Sequence, residues 1–375
     1  MLSKILIIPR AVFLVCATLC IVGFPLSAQT PTASIGTAVE ETVHSPSLSG
    51  NLLGDSPDRS VIVYLPPGYQ HGTSRYPVIY LLHGFLGNNK SWIEGGWANV
   101  PKIMDRLIAQ GKVREMIVVM PDASNKLGGS FYTNSVTTGN WEDFIASDLV
   151  KFIDGKYRTL PLAIDRGISG HSMGGYGAIK IAMKHPEIFG AVYALSACCM
   201  EWGGGISPSN PAWEKTQAFH NLGDVDAARL YIFKRDFNFQ DPEVPRDFFA
   251  LALASLSAAW SPDVSHPPLY AGFLVNGSGD AQALSEKRMS EWSANMPVAM
   301  LSQYRSNLSQ LRAIAFDVGR QDENVDIPAG ARDFDAELKS NGISHQFEEY
   351  EGTHMSKIGD RLEHRAFPFF SRSLN

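Results

Sequence analysis

Basic excess is absent from this 375-residue chain: 32 Lys and Arg face 38 Asp and Glu, a formal charge of −6. A balance of that sign leaves no electrostatic footprint for nucleic acid or for an anionic membrane surface. Cysteine is scarce too, with four residues, which excludes a disulfide scaffold. The 33 glycines and 22 prolines are close to ordinary usage, so collagen-like and broadly disordered chains are excluded. No internal repeat or low-complexity run is present. What is plentiful is apolar side chain, at 45%, enough for one large domain or two small ones. The expectation is a soluble protein with a large core, and an enzyme.

Long uncharged sequence is concentrated at the N-terminus. Lys4 and Arg10 precede the run AVFLVCATLCIVGFPLSA, residues 11–28, which ends in small residues before Gln29-Thr30-Pro31-Thr32. That order of charge, apolar stretch and small residues predicts a secretory signal over 1–28, cut after Ala28. A membrane anchor is the alternative, since the run has almost the length of a bilayer span. Pro25 and the small residues favour cleavage. The chain then reads as signal (1–28), linker (29–36) and one domain (37–375), exported to the periplasm or beyond, with no stable membrane span. Cys16 and Cys20 leave with the signal, and Cys198 and Cys199 stay. Sequence neighbours close only a strained ring, so two small thiols are expected there rather than a bridge.

Strands and helices alternate in the remainder. Apolar runs at 61–65, 78–82, 116–120, 167–169, 191–195, 312–317 and 345–350 are mostly continuous, as strands buried on both faces should be. Helical patterns lie at 101–110, 141–157, 174–184 and 332–340, with a last one ending near 374. The fold class expected is α/β: a mostly parallel sheet flanked by helices. Residues 200–311 break the rhythm and hold Trp202, Trp213, Trp260 and Trp292. They read as a cap-like helical insertion before the penultimate strand.

The chemistry centres on Gly170-His171-Ser172-Met173-Gly174. This G-x-S-x-G falls between a strand and a helix, the setting of a nucleophile elbow, with Ser172 on the sharp turn. Gly170 and Gly174 suit a turn where neighbouring chains pass close, and Gly175 and Gly177 would let the helix approach the sheet. A serine needs a base, and the base an orienting acid, in the order Ser, Asp or Glu, His on this fold. His354, in the loop after the last strand, is the base expected; His345 and His364 are weaker candidates. Asp322 is the acid expected, followed by Asp317 and then Glu323. The oxyanion donors expected are the backbone N–H groups of Met173 and of Phe85, the latter in His83-Gly84-Phe85-Leu86-Gly87. His83 and His171 are read as structural.

Further segments carry a family resemblance: YLPPGY from Tyr64, YPVIYLLHGFLG from Tyr76, GSFYTNS from Gly129, NWEDFI from Asn140, the elbow and its helix from Gly170, and YEGTH from Tyr350. Together they resemble the putative-esterase family of α/β-hydrolases, whose members include feruloyl esterases, S-formylglutathione hydrolase and mycolyltransferases. The resemblance covers about residues 38–200 and 310–375. It implies the α/β-hydrolase fold and a Ser172–Asp322–His354 triad with a Phe85/Met173 oxyanion hole. It also implies that Tyr132 and Trp141 lie near the site as substrate-binding residues, with a place in the core as the alternative for each. No cofactor and no metal is expected, because no cluster has zinc-ligand spacing. The partner expected is a small-molecule or polysaccharide-linked ester, met outside the cytoplasm. Three other readings stand beside the hydrolase: an acyltransferase of the mycolyltransferase kind, a peptidase, and a non-catalytic binding protein on the same fold.

Overall fold

The computed structural model describes residues 35–94, 96–238, 240–274 and 280–375. The expected secretory signal (1–28) and the linker up to residue 34 lie outside the described residues. Eight described strands form one sheet: β1 (Thr37–His44), β2 (Asp58–Leu65), β3 (Val78–Leu82), β4 (Ile117–Pro121), β5 (Arg166–His171), β6 (Ala191–Leu195), β7 (Ala313–Gly319) and β8 (Gln346–Tyr350). Their order is β1-β2-β4-β3-β5-β6-β7-β8. The pairings of β2 with β1 and with β4 are antiparallel. All the others are parallel. This is the mostly parallel sheet that the continuous apolar runs imply.

Alternate residues of each run enter opposite layers, because successive strand side chains point to opposite faces. Val61, Val63, Tyr80, Leu82 and Val119 join one core. Ile62, Tyr64, Ile79, Leu81 and Val118 join the other. The second layer is covered by α1 (Val100–Ala109) and the C-terminal segment through Phe367 and Phe370. The first is covered by a rod running from Trp141 through a wider π-type stretch, Phe144–Leu149, into α2 (Val150–Lys156), and by α3 (Met173–Lys184).

Among the described residues, the 200–311 stretch supplies five helices: α4 (Ala212–Gln217), α5 (Leu222–Lys234), α6 (Glu243–Trp260), α7 (Asp280–Ser293) and α8 (Pro297–Leu308). Its tryptophans gather on one another. Trp292 lies 5.8 Å from Trp202, 5.8 Å from Trp213 and 5.3 Å from Trp260. Trp260 meets Tyr176 of α3 at 5.7 Å, which seats the cluster on the elbow helix. Beyond it, α9 spans Asp326–Ser340 and starts six residues earlier than the periodicity predicts. Pro328 hid that first turn; proline is tolerated there, where no intrahelical N–H bond is needed. No helix among the described residues is long and apolar enough to cross a membrane.

Candidate active site

Ser172 sits between β5 and α3 with φ +56° and ψ −117°. A non-glycine residue held there stores strain that only its surroundings can maintain. Those surroundings are backbone. Ser172 N–H donates to the Leu195 carbonyl at 3.0 Å. A methyl group at position 174 would collide with the Leu82 carbonyl, and one at 170 with the Gly174 backbone. Both glycines are therefore required by close approach. Gly175 faces the Leu195 carbonyl at the end of β6, as expected of a helix that approaches the sheet. Gly177 does something else: it makes room for the Tyr132 ring.

His354 and Asp322 are joined. The His354 Nδ1 lies 2.7 Å from Asp322 Oδ2, and the Asp322 side chain is fully shielded from solvent. A carboxylate accepts, so Nδ1 carries the hydrogen and Nε2 keeps its lone pair. The acid is fixed in turn by the Asn324 N–H on Oδ1 at 3.0 Å. Glu323 accepts the His354 main-chain N–H at 3.1 Å. Asp317, the second choice for the acid, is engaged elsewhere. Its Oδ2 receives Tyr193 Oη–H at 2.6 Å and Arg361 Nε–H at 2.8 Å. Burial raises its carboxyl to about 6 despite Arg361 and Tyr193. His345 is paired with Asp335 at 2.9 Å, and His364 lies beside Asp360 at 3.5 Å.

His171 bridges the two halves of the site. Its Nε2–H donates to the His354 carbonyl at 2.9 Å, and the two rings lie 4.7 Å apart. Burial, and then the neighbouring His354 ring, push its pKa down to about 3. A neutral His171 thus orients the loop of His354 without adding charge beside it.

The His83–Gly87 loop lies against Ser172: a Cβ built on Gly84 would stand 3.3 Å from Ser172 Cβ. His83 is buried. Its Nδ1–H donates to the Gly84 carbonyl at 2.8 Å and its Nε2 accepts from the Ala123 N–H at 2.8 Å. Burial lowers its pKa, so it stays neutral and shapes the loop. Met173 is the first residue of α3, where an N–H has no intrahelical acceptor. Beside it, the half-buried Phe85 ring meets Phe131 at 5.7 Å and Phe248 of α6 at 5.6 Å.

Tyr132 and Trp141 require correction. Both are 0% exposed. Tyr132 Oη–H donates to the His83 carbonyl at 2.9 Å, behind the His83–Gly87 loop. Trp141 Nε1–H donates to the Thr138 carbonyl at 2.7 Å, and the Arg59 guanidinium covers its ring at 5.0 Å. Neither ring is open to a ligand. Two positioning residues were missed. Trp97 packs its ring against Gly84, Gly87 and the His171 ring. Asn125 Oδ1 accepts the N–H groups of Leu127 and Gly129, each at 3.0 Å. No local pattern marks either.

Comparison with known proteins adds one finding to this geometry. Residues 56–233 match the putative-esterase family. That family stretch contains the elbow and the His83–Gly87 loop; Asp322 and His354 lie beyond it. An endo-1,4-beta-xylanase/feruloyl esterase of Xylanibacter ruminicola is 38% identical over 135 residues, 34% of this chain and 18% of that protein. An esterase of Mycobacterium tuberculosis is 28% identical over 180 residues, 42% of this chain and 37% of that one. The chain thus spans well under half the length of these curated relatives. Among solved structures, a ferulic acid esterase superposes with a TM-score of 0.60 at 22% identity, covering 91% of this chain and 99% of the other. An S-formylglutathione hydrolase from Agrobacterium tumefaciens gives 0.55 at 17%, covering 92% and 98%. These likenesses show the fold: a mostly parallel α/β sheet of the kind found in esterases and hydrolases.

Proposed function

We propose that this chain is a serine carboxylic-ester hydrolase acting through an acyl-enzyme. The observation that carries the reading is the 2.7 Å contact from His354 Nδ1 to Asp322 Oδ2, on a fold that holds Ser172 at φ +56° between strand and helix. His354 Nε2 takes the Ser172 proton as Oγ attacks the ester carbonyl. Asp322 stabilises the imidazolium that forms. The amides of Met173 and Phe85 receive the oxyanion, each contributing about 2.7–4 kcal/mol as such donors do elsewhere. His354 then protonates the leaving alcohol, and water releases the acyl group. The esters we assign to it are small or polysaccharide-linked. The feruloyl-esterase names of relatives, and the half-buried Phe85 and Phe248 rings beside the loop, support an aromatic acyl group. Hydrolysis of p-nitrophenyl esters of increasing acyl length tests the reading. Activity is expected in the protein, with a loss on the order of a thousandfold or more in Ser172→Ala. Equal rates in the two would remove Ser172 as nucleophile.

We also propose export, with residues 1–28 removed. The support is the charge, apolar run and small residues that precede Gln29. N-terminal sequencing of protein recovered outside the cytoplasm should begin at Gln29; a start at Met1 would overturn this.

A further inference from the structure

The two thiols lie just past the end of β6, in a loop hydrogen-bonded to Ser172. Cys198 and Cys199 are both free and half-buried, and Cys199 Sγ–H donates to Cys198 Sγ at 3.0 Å. The loop that carries them is tense: Ser196 has φ +41° and Cys199 has φ +58°. Non-glycine residues adopt such angles only where their contacts hold them. The loop is also bonded to the site on one side and to the insertion on the other. Cys198 N–H donates to the Ser172 carbonyl at 3.3 Å, Ser196 N–H to the Asp317 carbonyl at 2.8 Å, and Val298 N–H of α8 to the Met200 carbonyl at 3.0 Å.

We propose that Cys198 and Cys199 are a reversible dithiol–disulfide site that sets the rate at Ser172 and is oxidised by exchange with a small-molecule disulfide. The inference rests on the reading of Ser172 as the nucleophile. The Cys198 thiolate attacks one sulfur of the disulfide, forming a mixed disulfide and releasing one thiol. Cys199 then loses its proton and attacks Cys198 Sγ, expelling the second thiol. Two protein thiols are oxidised, one small disulfide is reduced to two thiols, and no other reactant is needed. The bond to Cys198 and burial keep the Cys199 thiol protonated, so Cys198 is the sulfur that attacks first and Cys199 deprotonates only for the second step. The new bond draws the sulfurs from 3.0 Å to about 2.05 Å. Because the ring contains the 198–199 peptide itself, that contraction is taken up by the backbone that touches the Ser172 carbonyl. Displacements on the order of 1 Å at a reacting group cost on the order of a hundredfold in rate. The same ring strain makes the bond easy to reduce, as a switch requires and a structural bridge does not.

The test equilibrates the protein in buffers of reduced and oxidised glutathione of graded ratio, reading mass and p-nitrophenyl ester turnover from the same samples. The expected result is a loss of about 2 Da from the peptide carrying both cysteines, with kcat falling on the order of 10- to 100-fold and recovering with dithiothreitol. Cys198→Ser should hydrolyse esters at the reduced-state rate and ignore the buffer, whereas Cys199→Ser should stop at the mixed disulfide, gaining one glutathione on Cys198 without closing a ring. In the unsubstituted protein, a persistent glutathione adduct without ring closure, an unchanged mass, or a closed ring with an unchanged rate would each overturn the proposal. A fully reduced protein with no esterase activity would instead overturn the function assigned to Ser172, and the mass readout would separate that failure from this one.

Discussion

The hydroxyl of Tyr132 is a single atom with a testable part in the site. It donates to the His83 carbonyl from a fully buried position, and so fixes the strand end from which the His83–Gly87 loop departs. Tyr132→Phe removes that bond while keeping the ring that fills the space over Gly177. A buried hydrogen bond contributes about 1 kcal/mol, so kcat should fall about fivefold with KM little changed, as steady-state kinetics on a p-nitrophenyl ester would read. An unchanged kcat would reduce Tyr132 to a packing residue. Part of this neighbourhood was legible in the sequence and part was not. Chain order and the position just past a strand end pointed to Asp322, and that carboxylate is the one against His354. What set Asp317 aside is its pairing with Arg361 and Tyr193, contacts across 44 and 124 residues that no local pattern encodes. Tyr132 was expected at the mouth and stands one layer behind it. The width of one ring decides that difference, and spacing along a chain does not carry it.

At the scale of elements, strands and helices were readable because burial on both faces makes a strand continuous in apolar residues. Their ends and irregularities were not. The helical pattern expected over 141–157 does form a rod, but one widened at Phe144–Leu149, and apolar periodicity does not distinguish a π-type turn from an α-helical one. Its first turn is tied to the end of α3: Glu142 Oε1 lies 2.9 Å from His185 Nε2, and Oε2 accepts from Lys184 Nζ at 2.7 Å. Burial pushes the Glu142 carboxyl up. The His185 bond with Lys180 and Lys184 outweighs it and holds the pKa at about 2, below the ordinary 4.5. That contribution is therefore complete above pH 4.5 and is lost as pH falls toward 2. His185 is shifted upward by the same bond, so its share is complete below pH 6.5 and is lost as pH rises through the raised value. Breaking a buried ion pair costs about 3 kcal/mol. Glu142→Gln should thus lower the melting temperature most between pH 4.5 and 6.5, with the deficit narrowing toward pH 2.5 and again in alkali. Parallel thermal melts across that range would show it, and a deficit that did not vary with pH would refute the electrostatic account.

For the molecule as a whole, the question is how the 200–311 insertion is held. The sequence revealed it as a break in the strand–helix rhythm, yet gave no sign of where it docks, because the contacts that dock it on α3 join residues more than eighty positions apart. Asn295, between α7 and α8, is one point of attachment beside the tryptophan cluster; Ser255 of α6, whose Oγ–H donates to the Gly129 carbonyl at 2.6 Å, is another. The Asn295 carbonyl accepts Tyr176 Oη–H at 2.8 Å, and its Oδ1 accepts Lys180 Nζ–H at 2.8 Å, both donors from α3. Lys180 is buried, with Thr133 Oγ1 at 2.7 Å as its other oxygen partner. Burial, opposed by the Glu142 charge and assisted by Lys184, pushes its ammonium down to about 7. A buried amine costs stability in its charged form, so this group favours the folded chain progressively more as pH rises from 7 toward its ordinary 10.5. Asn295→Ala keeps the carbonyl and deletes Oδ1, leaving a buried cation with one acceptor fewer. Hydrogen bonds to charged groups contribute about 1.5–3 kcal/mol, so the variant should melt roughly 2–5 °C lower at pH 6. The gap should shrink by pH 10, where Lys180 is neutral and the lost acceptor matters less. Because Tyr176 and Lys180 lie on the helix that begins just after Ser172, loosening the insertion should also lower ester turnover at temperatures well below the melt. A variant with an unchanged melt would show that the Asn295 side-chain bond to the elbow helix is incidental and that the other contacts, such as Ser255 Oγ–H on the Gly129 carbonyl, hold the insertion.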